Sequence, residues 1–426
     1  MTERSLVIKG GRVIDSSGER AADVVVEDGR IVAIAPDLTG ARVLDAAGCV
    51  VAPGLVDLHT HLRQPGHEEA ETIETGARAA ALGGYTAVMA MPNTTPAIDC
   101  AAVVREVLEL GRAAPCEVVV AGAVTVDRAG QRLAPMAEMA ALGVRMFTDD
   151  GRGVQDNRLM RRALEYGSAL GVTLAQHCED EALAAGGHMH EGEWSSRLGI
   201  PGQPAEAEEL MVMRDIALSR LTGARVHFQH LSTGGSVAIV RAARAGGLPV
   251  SAEVTPHHFT LTDECCSTYD PVFKVNPPLR PRRDVDAVRA GLGDGSIDAI
   301  ATDHAPHPRE NKEQPFDEAP PGMLGLETAL ALALTELDLD LASVLALLSW
   351  RPAAIAGLES RHGGPLAVGR PANLCVIDPT ARWVVDPAAL ASRSRNTPYA
   401  GRTLTGRARH TLLRGEAVVI DGEAQR

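Results

Sequence analysis

The sequence predicts an α/β protein: a (β/α)8 (TIM) barrel carrying a small β-sandwich domain formed by both chain ends. Three observations predict it. Across residues 54–364, short apolar runs alternate with helical stretches in a repeated strand, loop, helix pattern, which suits a parallel sheet wrapped by helices. The flanking regions, 1–53 and 365–426, carry short β-rich runs broken by Gly, Pro and Asp instead. Finally, His and Asp recur at the C-terminal ends of the strand candidates, where barrels of this kind carry their chemistry.

Taken in order, Leu6-Val7-Ile8, Val24-Val25-Val26 and Ile31-Val32-Ala33-Ile34 read as short strands separated by turns. The same texture returns at Leu374-Cys375-Val376-Ile377, Trp383-Val384-Val385, His410-Thr411-Leu412-Leu413 and Ala417-Val418-Val419-Ile420. The two ends are therefore expected to pair into one domain. Barrel strands are expected at 55–59, 87–91, 118–121, 145–148, 173–177, 226–230, 250–254 and 297–302, with helices at 72–82, 101–110, 158–170, 205–221 and 237–245. A doubly wound open sheet is the alternative, because periodicity does not show that a sheet closes.

Hydrophobic residues make up 45% and charged residues 23% of the 426, the balance of an ordinary globular protein. A net charge of -14 argues against nucleic acid or an anionic membrane as partner, since both need a basic face. A small anionic substrate held by a local Arg stays compatible. Seven cysteines without regular spacing and no N-terminal signal pattern point to a reducing cytoplasm. No apolar run approaches the roughly 18–20 residues of a membrane span. Lys9, Lys274 and Lys312 are the only lysines.

The stretch Val56-Asp57-Leu58-His59-Thr60-His61-Leu62-Arg63 organises the chemistry. In extended chain, residues i and i+2 share a face, so His59 and His61 enter one space. Alone, such a pair also fits two ordinary histidines at a strand end. The other strand ends add Asp149-Asp150, His177, His230 and Asp303. Imidazole and carboxylate without thiolate suit zinc or a similar divalent ion. Four histidines and two aspartates exceed what one tetrahedral ion accepts, so a two-metal site that lowers the pKa of bound water is the economical reading.

The ordered motifs carry the reading further. His59-Thr60-His61-Leu62-Arg63-Gln64-Pro65-Gly66, Met91-Pro92-Asn93-Thr94, Phe147-Thr148-Asp149-Asp150-Gly151, Gln176-His177-Cys178-Glu179-Asp180, Asn276-Pro277-Pro278-Leu279-Arg280 and Ala301-Thr302-Asp303-His304-Ala305-Pro306-His307 together resemble the amidohydrolase superfamily and, within it, the bacterial class I dihydroorotases. The resemblance spans nearly the whole chain, including the late segment Ser394-Arg395-Asn396-Thr397-Pro398.

The resemblance implies two zinc ions, one held by His59, His61 and Asp303, the other by His177 and His230, with Asp150 bridging. Many relatives bridge with a carboxylated lysine on strand four; no lysine lies near that strand end here, so a carboxylate must serve. Asp149 is the rival, and the family motif favours the second Asp. The implied reaction is the reversible closure of N-carbamoyl-L-aspartate to L-dihydroorotate plus water, a step of pyrimidine (UMP) biosynthesis. Asp303 is implied as catalytic base and then acid. Arg63 and Asn93, assisted by His307, are implied to hold the substrate carboxylate, Asn276 to meet the ring, and the backbone around Pro321-Gly322 to line the site.

Competing readings are a hydantoinase, dihydropyrimidinase or allantoinase, and an inactive homologue that scaffolds aspartate transcarbamoylase. The absent strand-four lysine and the Arg after the second His oppose the former, and six retained ligand residues oppose the latter. A homodimer and a transcarbamoylase complex are both left open. His257, His258 and His304 are expected to pack around the site rather than to ligate. The segment 308–323 reads either as a lid or as a static loop.

Overall fold

In a computed structural model describing residues 5–426, eight parallel strands hydrogen-bond in strict chain order. They are β1 (Leu55–Thr60), β2 (Tyr85–Ala90), β3 (Glu117–Gly122), β4 (Met146–Phe147), β5 (Thr173–Gln176), β6 (Val226–Phe228), β7 (Val250–Val254) and β8 (Ala299–Ile300). β1 is buried along its whole length, as expected of a parallel strand covered on both faces. The ring closes where β8 returns to β1. Thr60 bridges His304 in parallel, and the His61 N–H donates to the His304 carbonyl at 2.8 Å.

A buried carboxylate completes that seam. Asp57 accepts from the Thr302 backbone N–H at 3.0 Å and from its hydroxyl at 2.6 Å. Backbone bonds to β7 run from the Asp298 N–H to the Ala301 N–H, at 2.9 and 3.1 Å, and stop short of the expected 302 because at Thr302 a side chain takes over from a backbone partner. Past β4 the Thr148 N–H still donates to the Gly122 carbonyl at 2.9 Å, and pairing stops at Asp149, which turns aside to accept from the backbone N–H groups of Val124 and Thr125 at 2.8 and 3.0 Å. Carboxylates substitute for strand pairing at both places where the rim must open.

Inside the barrel the side chains are mostly small: Ala87, Ala121, Ala175, Ala299 and Ala301, with Val56, Leu58, Met89 and Met146 filling the remainder. Larger groups, among them Tyr85, Phe147, Leu164, Phe228 and Ile300, pack between the strands and the surrounding helices. α1 (Ile73–Leu82) starts at a capping box in which Thr72 and Thr75 satisfy each other's backbone N–H, and it buries Ile73, Ala77 and Ala80. α2 (Asn157–Leu170) is capped by Asp156 and stops at Gly171, whose φ of 68° only glycine adopts without strain.

Both chain ends build a β-sandwich. A four-stranded sheet comes from the N-terminal region alone, whereas a seven-stranded sheet places Val50–Pro53 between Arg12–Asp15 and Leu374–Val384. Ile8, Val24, Ile31, Val51, Val376 and Leu412 form the core between them. The connection from Leu374–Val384 to Thr403–Leu413 leaves this sheet as a long loop closed at its base by Val385 and Gly401. No helix among the described residues is long and apolar enough to cross a membrane.

Candidate metal centre

β1 delivers His59 and His61 to the same side, as the i, i+2 rule requires, and both are buried. The ends of β4, β5, β6 and β8 bring Asp150, His177, His230 and Asp303 to meet them. Asp149 and Asp150 point opposite ways. Asp149 is consumed by the β3–β4 turn, including the Thr125 hydroxyl, whereas Asp150 faces the imidazoles.

Asp150 lies at the middle of the cluster. Its Oδ1 is 3.3 Å from His59 Nε2 and 3.6 Å from both His177 Nδ1 and His230 Nε2, while its Oδ2 is 3.6 Å from His61 Nε2. Two groups able to hold a cation share this residue: His59, His61 and Asp150 on one side, Asp150, His177 and His230 on the other. Asp303 Oδ1 sits 2.9 Å from His61 Nε2 and 3.5 Å from His59 Nε2, joining the first group.

Hydrogen bonding fixes which ring nitrogens face inward. The Glu253 carboxylate only accepts, so His59 Nδ1 must donate to its Oε1 at 3.0 Å, which leaves a lone pair on Nε2. Likewise His61 Nδ1 donates to Asn93 Oδ1 at 2.9 Å and turns its Nε2 lone pair toward Asp303. Lone pairs aimed at carboxylates repel unless a cation lies between them. His59 Nε2 and Asp150 Oδ1 accordingly have no hydrogen-bond partner although both are buried. Ligand atoms about 2.0–2.1 Å from a tetrahedral ion stand roughly 3.3 Å apart; the Asp150 and His59–Asp303 separations of 3.3–3.6 Å match, while His61–Asp303 and His177–His230 close to 2.9 Å. The donor set fits divalent metal.

The electrostatics agree. Burial works against a charged His59, yet Asp150 and Asp303 hold its pKa well above the ordinary value. His177 is likewise raised to about 10 despite burial, by Asp150 and Glu179. Burial would raise the carboxyls of Asp150 and Asp303, but the neighbouring imidazoles pull both below the usual carboxylate range. A place that so favours a proton favours any small cation.

Arg63, His230 and Asp303 adopt φ values of 63°, 31° and 47°, left-handed backbone that non-glycine residues avoid. Strain of that kind, on the order of 1–3 kcal/mol each, tends to collect where side chains must be aimed.

Above the cluster is a cavity of about 190 Å³, and Arg63, Asn93, Asn276, His307, Pro321 and Gly322 all line it together with the metal-side residues. Arg63 donates through Nε to the Pro306 carbonyl at 3.1 Å and places Nη2 3.3 Å from His307 Nε2. Neither neighbour is an anion, and the guanidinium forms no ion pair among the described residues. His307 is kept neutral: burial and the adjacent Arg63 push its pKa down to about 2. Asn276 Nδ2 reaches His177 Nε2 at 3.4 Å, and its Oδ1 is a buried acceptor without a partner. The segment 308–323 folds over one side of this cavity. Lys312 Nζ donates to the Pro320 carbonyl at 2.9 Å, and Lys274 Nζ to the Asp317 carbonyl at 2.9 Å.

Sequence reasoning missed the support beneath the histidines. Glu253 on β7 joins His59 to His227 on β6, whose Nε2 lies 3.0 Å from Glu253 Oε2. Burial would raise the Glu253 carboxyl, but these two imidazoles bring it down to about 2. The available signal was a lone carboxylate inside the apolar run 250–254. His257 and His258 pack nearby without entering the cluster, His258 bonding to Thr255 and the Pro277 carbonyl.

Comparison with known proteins follows the same lines. Residues 48–236 match the family described as Dihydro-orotase-like. The chain is 50% identical over 426 residues to the dihydroorotase of Streptomyces coelicolor, covering 98% of this chain and 99% of that one. It is 49% identical over 434 residues to the dihydroorotase of Mycobacterium bovis, with 98% and 99% coverage. Among solved structures, an L-hydantoinase (dihydropyrimidinase) from Arthrobacter aurescens superimposes with a TM-score of 0.88 at 26% identity, covering 99% of this chain and 97% of that one.

Proposed function

The chain belongs to the dihydroorotase family of cyclic amide hydrolases, and from that premise we propose how its residues carry out the reversible closure of N-carbamoyl-L-aspartate to L-dihydroorotate and water. The observation that carries the reading is Arg63, a cation without an ionic partner at the wall of a cavity whose floor is the histidine and aspartate cluster. L-dihydroorotate carries a carboxylate that hydantoin and dihydrouracil lack, and a guanidinium receives a carboxylate through two parallel hydrogen bonds.

Two zinc ions would be held by His59, His61 and Asp303 and by His177 and His230, with Asp150 between them. When bound they lower the pKa of a water and polarise the ring carbonyl. The remaining work falls to the chain. Asp303, ionised and facing the cavity, accepts a proton from the attacking water and returns it to the departing ring nitrogen. Arg63 binds the carboxylate, with neutral His307 beside it. Asn93 orients His61 through its Oδ1, which leaves its amide N–H groups for the substrate. The unpartnered Asn276 Oδ1 accepts the ring N–H.

Chelation should abolish hydrolysis of L-dihydroorotate, and zinc should restore it. Asp150→Ala should lose the paired ions, whereas Asp149→Ala, which disturbs only the β3–β4 turn, should keep more of both metal and activity. Metal analysis showing both ions retained in the Asp150 variant and lost in the Asp149 variant would overturn the bridging role.

A further inference from the structure

The loop 386–401 belongs to the small β domain by connectivity, yet it reaches the catalytic rim. Its base is pinned by the Gly401 N–H to the Val385 carbonyl at 2.8 Å and by the Val385 N–H to the Arg402 carbonyl at 2.9 Å. Such a closed, self-packed excursion is an Ω-loop. Its flanks are tied to the barrel: Ser394 Oγ donates to the Ala70 carbonyl at 2.7 Å, and the Tyr399 and Thr260 hydroxyls lie 2.9 Å apart.

Asn396 sits within this loop, nearly fully buried, and its amide is saturated by the rim. Oδ1 accepts from the His307 backbone N–H at 3.1 Å. Nδ2 donates to the Ala305 carbonyl at 2.9 Å and the Gly322 carbonyl at 3.2 Å. Its own carbonyl accepts from the Leu324 N–H at 3.1 Å. These partners come from two separate stretches, the exit of β8 and the returning end of 308–323, and the cavity wall is where they meet. There His307 Nε2 lies 2.9 Å from the Pro321 carbonyl and 3.3 Å from Arg63. The fit is tight, since a Cβ on Gly322 would stand 2.8 Å from His307 Nε2.

We propose that Asn396 is a positioning residue for substrate binding: its amide clamps His307 to Gly322 and thereby fixes the pocket wall on which Arg63 presents its guanidinium. This rests on the reading of Arg63 and His307 as the carboxylate subsite. Apolar replacement leaves one N–H and two carbonyls without their partner, and the wall that they share loosens. Asn396→Asp keeps the shape and the acceptor for His307 but sets an anion against the Ala305 and Gly322 carbonyls.

The zinc-loaded full chain and its Asn396→Ala, Asn396→Asp and Ser394→Ala variants are compared by steady-state hydrolysis of L-dihydroorotate and by backbone hydrogen exchange. Both Asn396 variants should raise KM on the order of tenfold or more, with kcat within a few-fold. They should also speed exchange at Gly322, Met323 and Leu324 while leaving β1 protected. Ser394→Ala, which cuts a tie of the same loop away from the pocket, should leave KM near wild type. Wild-type KM and exchange in the Asn396 variants, an equal KM rise in Ser394→Ala, or failure of both Asn396 variants to fold would each overturn the assignment. If the wild type does not hydrolyse L-dihydroorotate, the functional reading fails, and exchange at 322–324 alone then decides whether Asn396 clamps the wall.

Discussion

Asp303→Asn, compared with wild type at matched metal content, should lower kcat by roughly 10² to 10⁴, the range of a lost acid–base group. The amide keeps one oxygen where Asp303 Oδ1 lies, 2.9 Å from His61 Nε2 and 3.5 Å from His59 Nε2, so much of the metal-holding geometry survives. What disappears is a group able to take a proton and give it back. In the native chain that carboxylate is kept ionised: burial opposes the charge, but His59 and His61 outweigh it. KM should change far less than kcat, because in the proposed mechanism Asp303 acts on the reacting atoms and Arg63 holds the carboxylate. Near-normal turnover with both ions in place would eliminate the proton-transfer role.

Arg63→Met should reduce kcat/KM for L-dihydroorotate by a factor equivalent to about 3–5 kcal/mol, the cost of leaving one member of a buried ion pair alone. Arg63 is partly buried, and burial lowers its pKa to about 10 although Asp303 and Asp150 act in the other direction. It is still a cation at any physiological pH. Methionine keeps most of the stem and removes the guanidinium, so the Pro306 carbonyl loses a donor while the backbone course is retained. A neutral cyclic amide such as dihydrouracil has no carboxylate to lose, and its slower turnover should fall much less. Equal losses on both substrates would instead assign Arg63 to supporting the fold or the metals.

Much of this site was legible before the fold was known, and the reasons are geometric. Strand periodicity sends His59 and His61 to one side, and adjacency sends Asp149 and Asp150 to opposite sides; both hold in the structure. The rule that barrel chemistry lies at strand C-termini located His177, His230 and Asp303, because it depends on where strands end rather than on how they pair. Pairing is what the chain order conceals. Glu253 supports His59 only because β7 lies beside β6, which brings His227 to the other carboxylate oxygen, while the closed ring puts β1 across from it. Asp57 and Asp149 end two strands by taking the next backbone N–H groups onto side chains, a trade that propensity does not register. Asn396 stood within a motif already singled out, but the partners of its amide lie 74–91 residues away along the chain.

The likeness to a hydantoinase at a TM-score of 0.88 shows how little the barrel itself selects among cyclic amides. In the proposed function, selection comes from the wall above the histidine and aspartate cluster, and above all from Arg63 on it. The direct measurement is kcat/KM of the purified, zinc-loaded wild type on L-dihydroorotate, hydantoin and allantoin side by side. A preference for L-dihydroorotate of at least about a hundredfold is expected, the factor to which the lower end of the roughly 3–5 kcal/mol for a lost charge partner corresponds. Turnover of hydantoin or allantoin equal to or faster than that of L-dihydroorotate would contradict it.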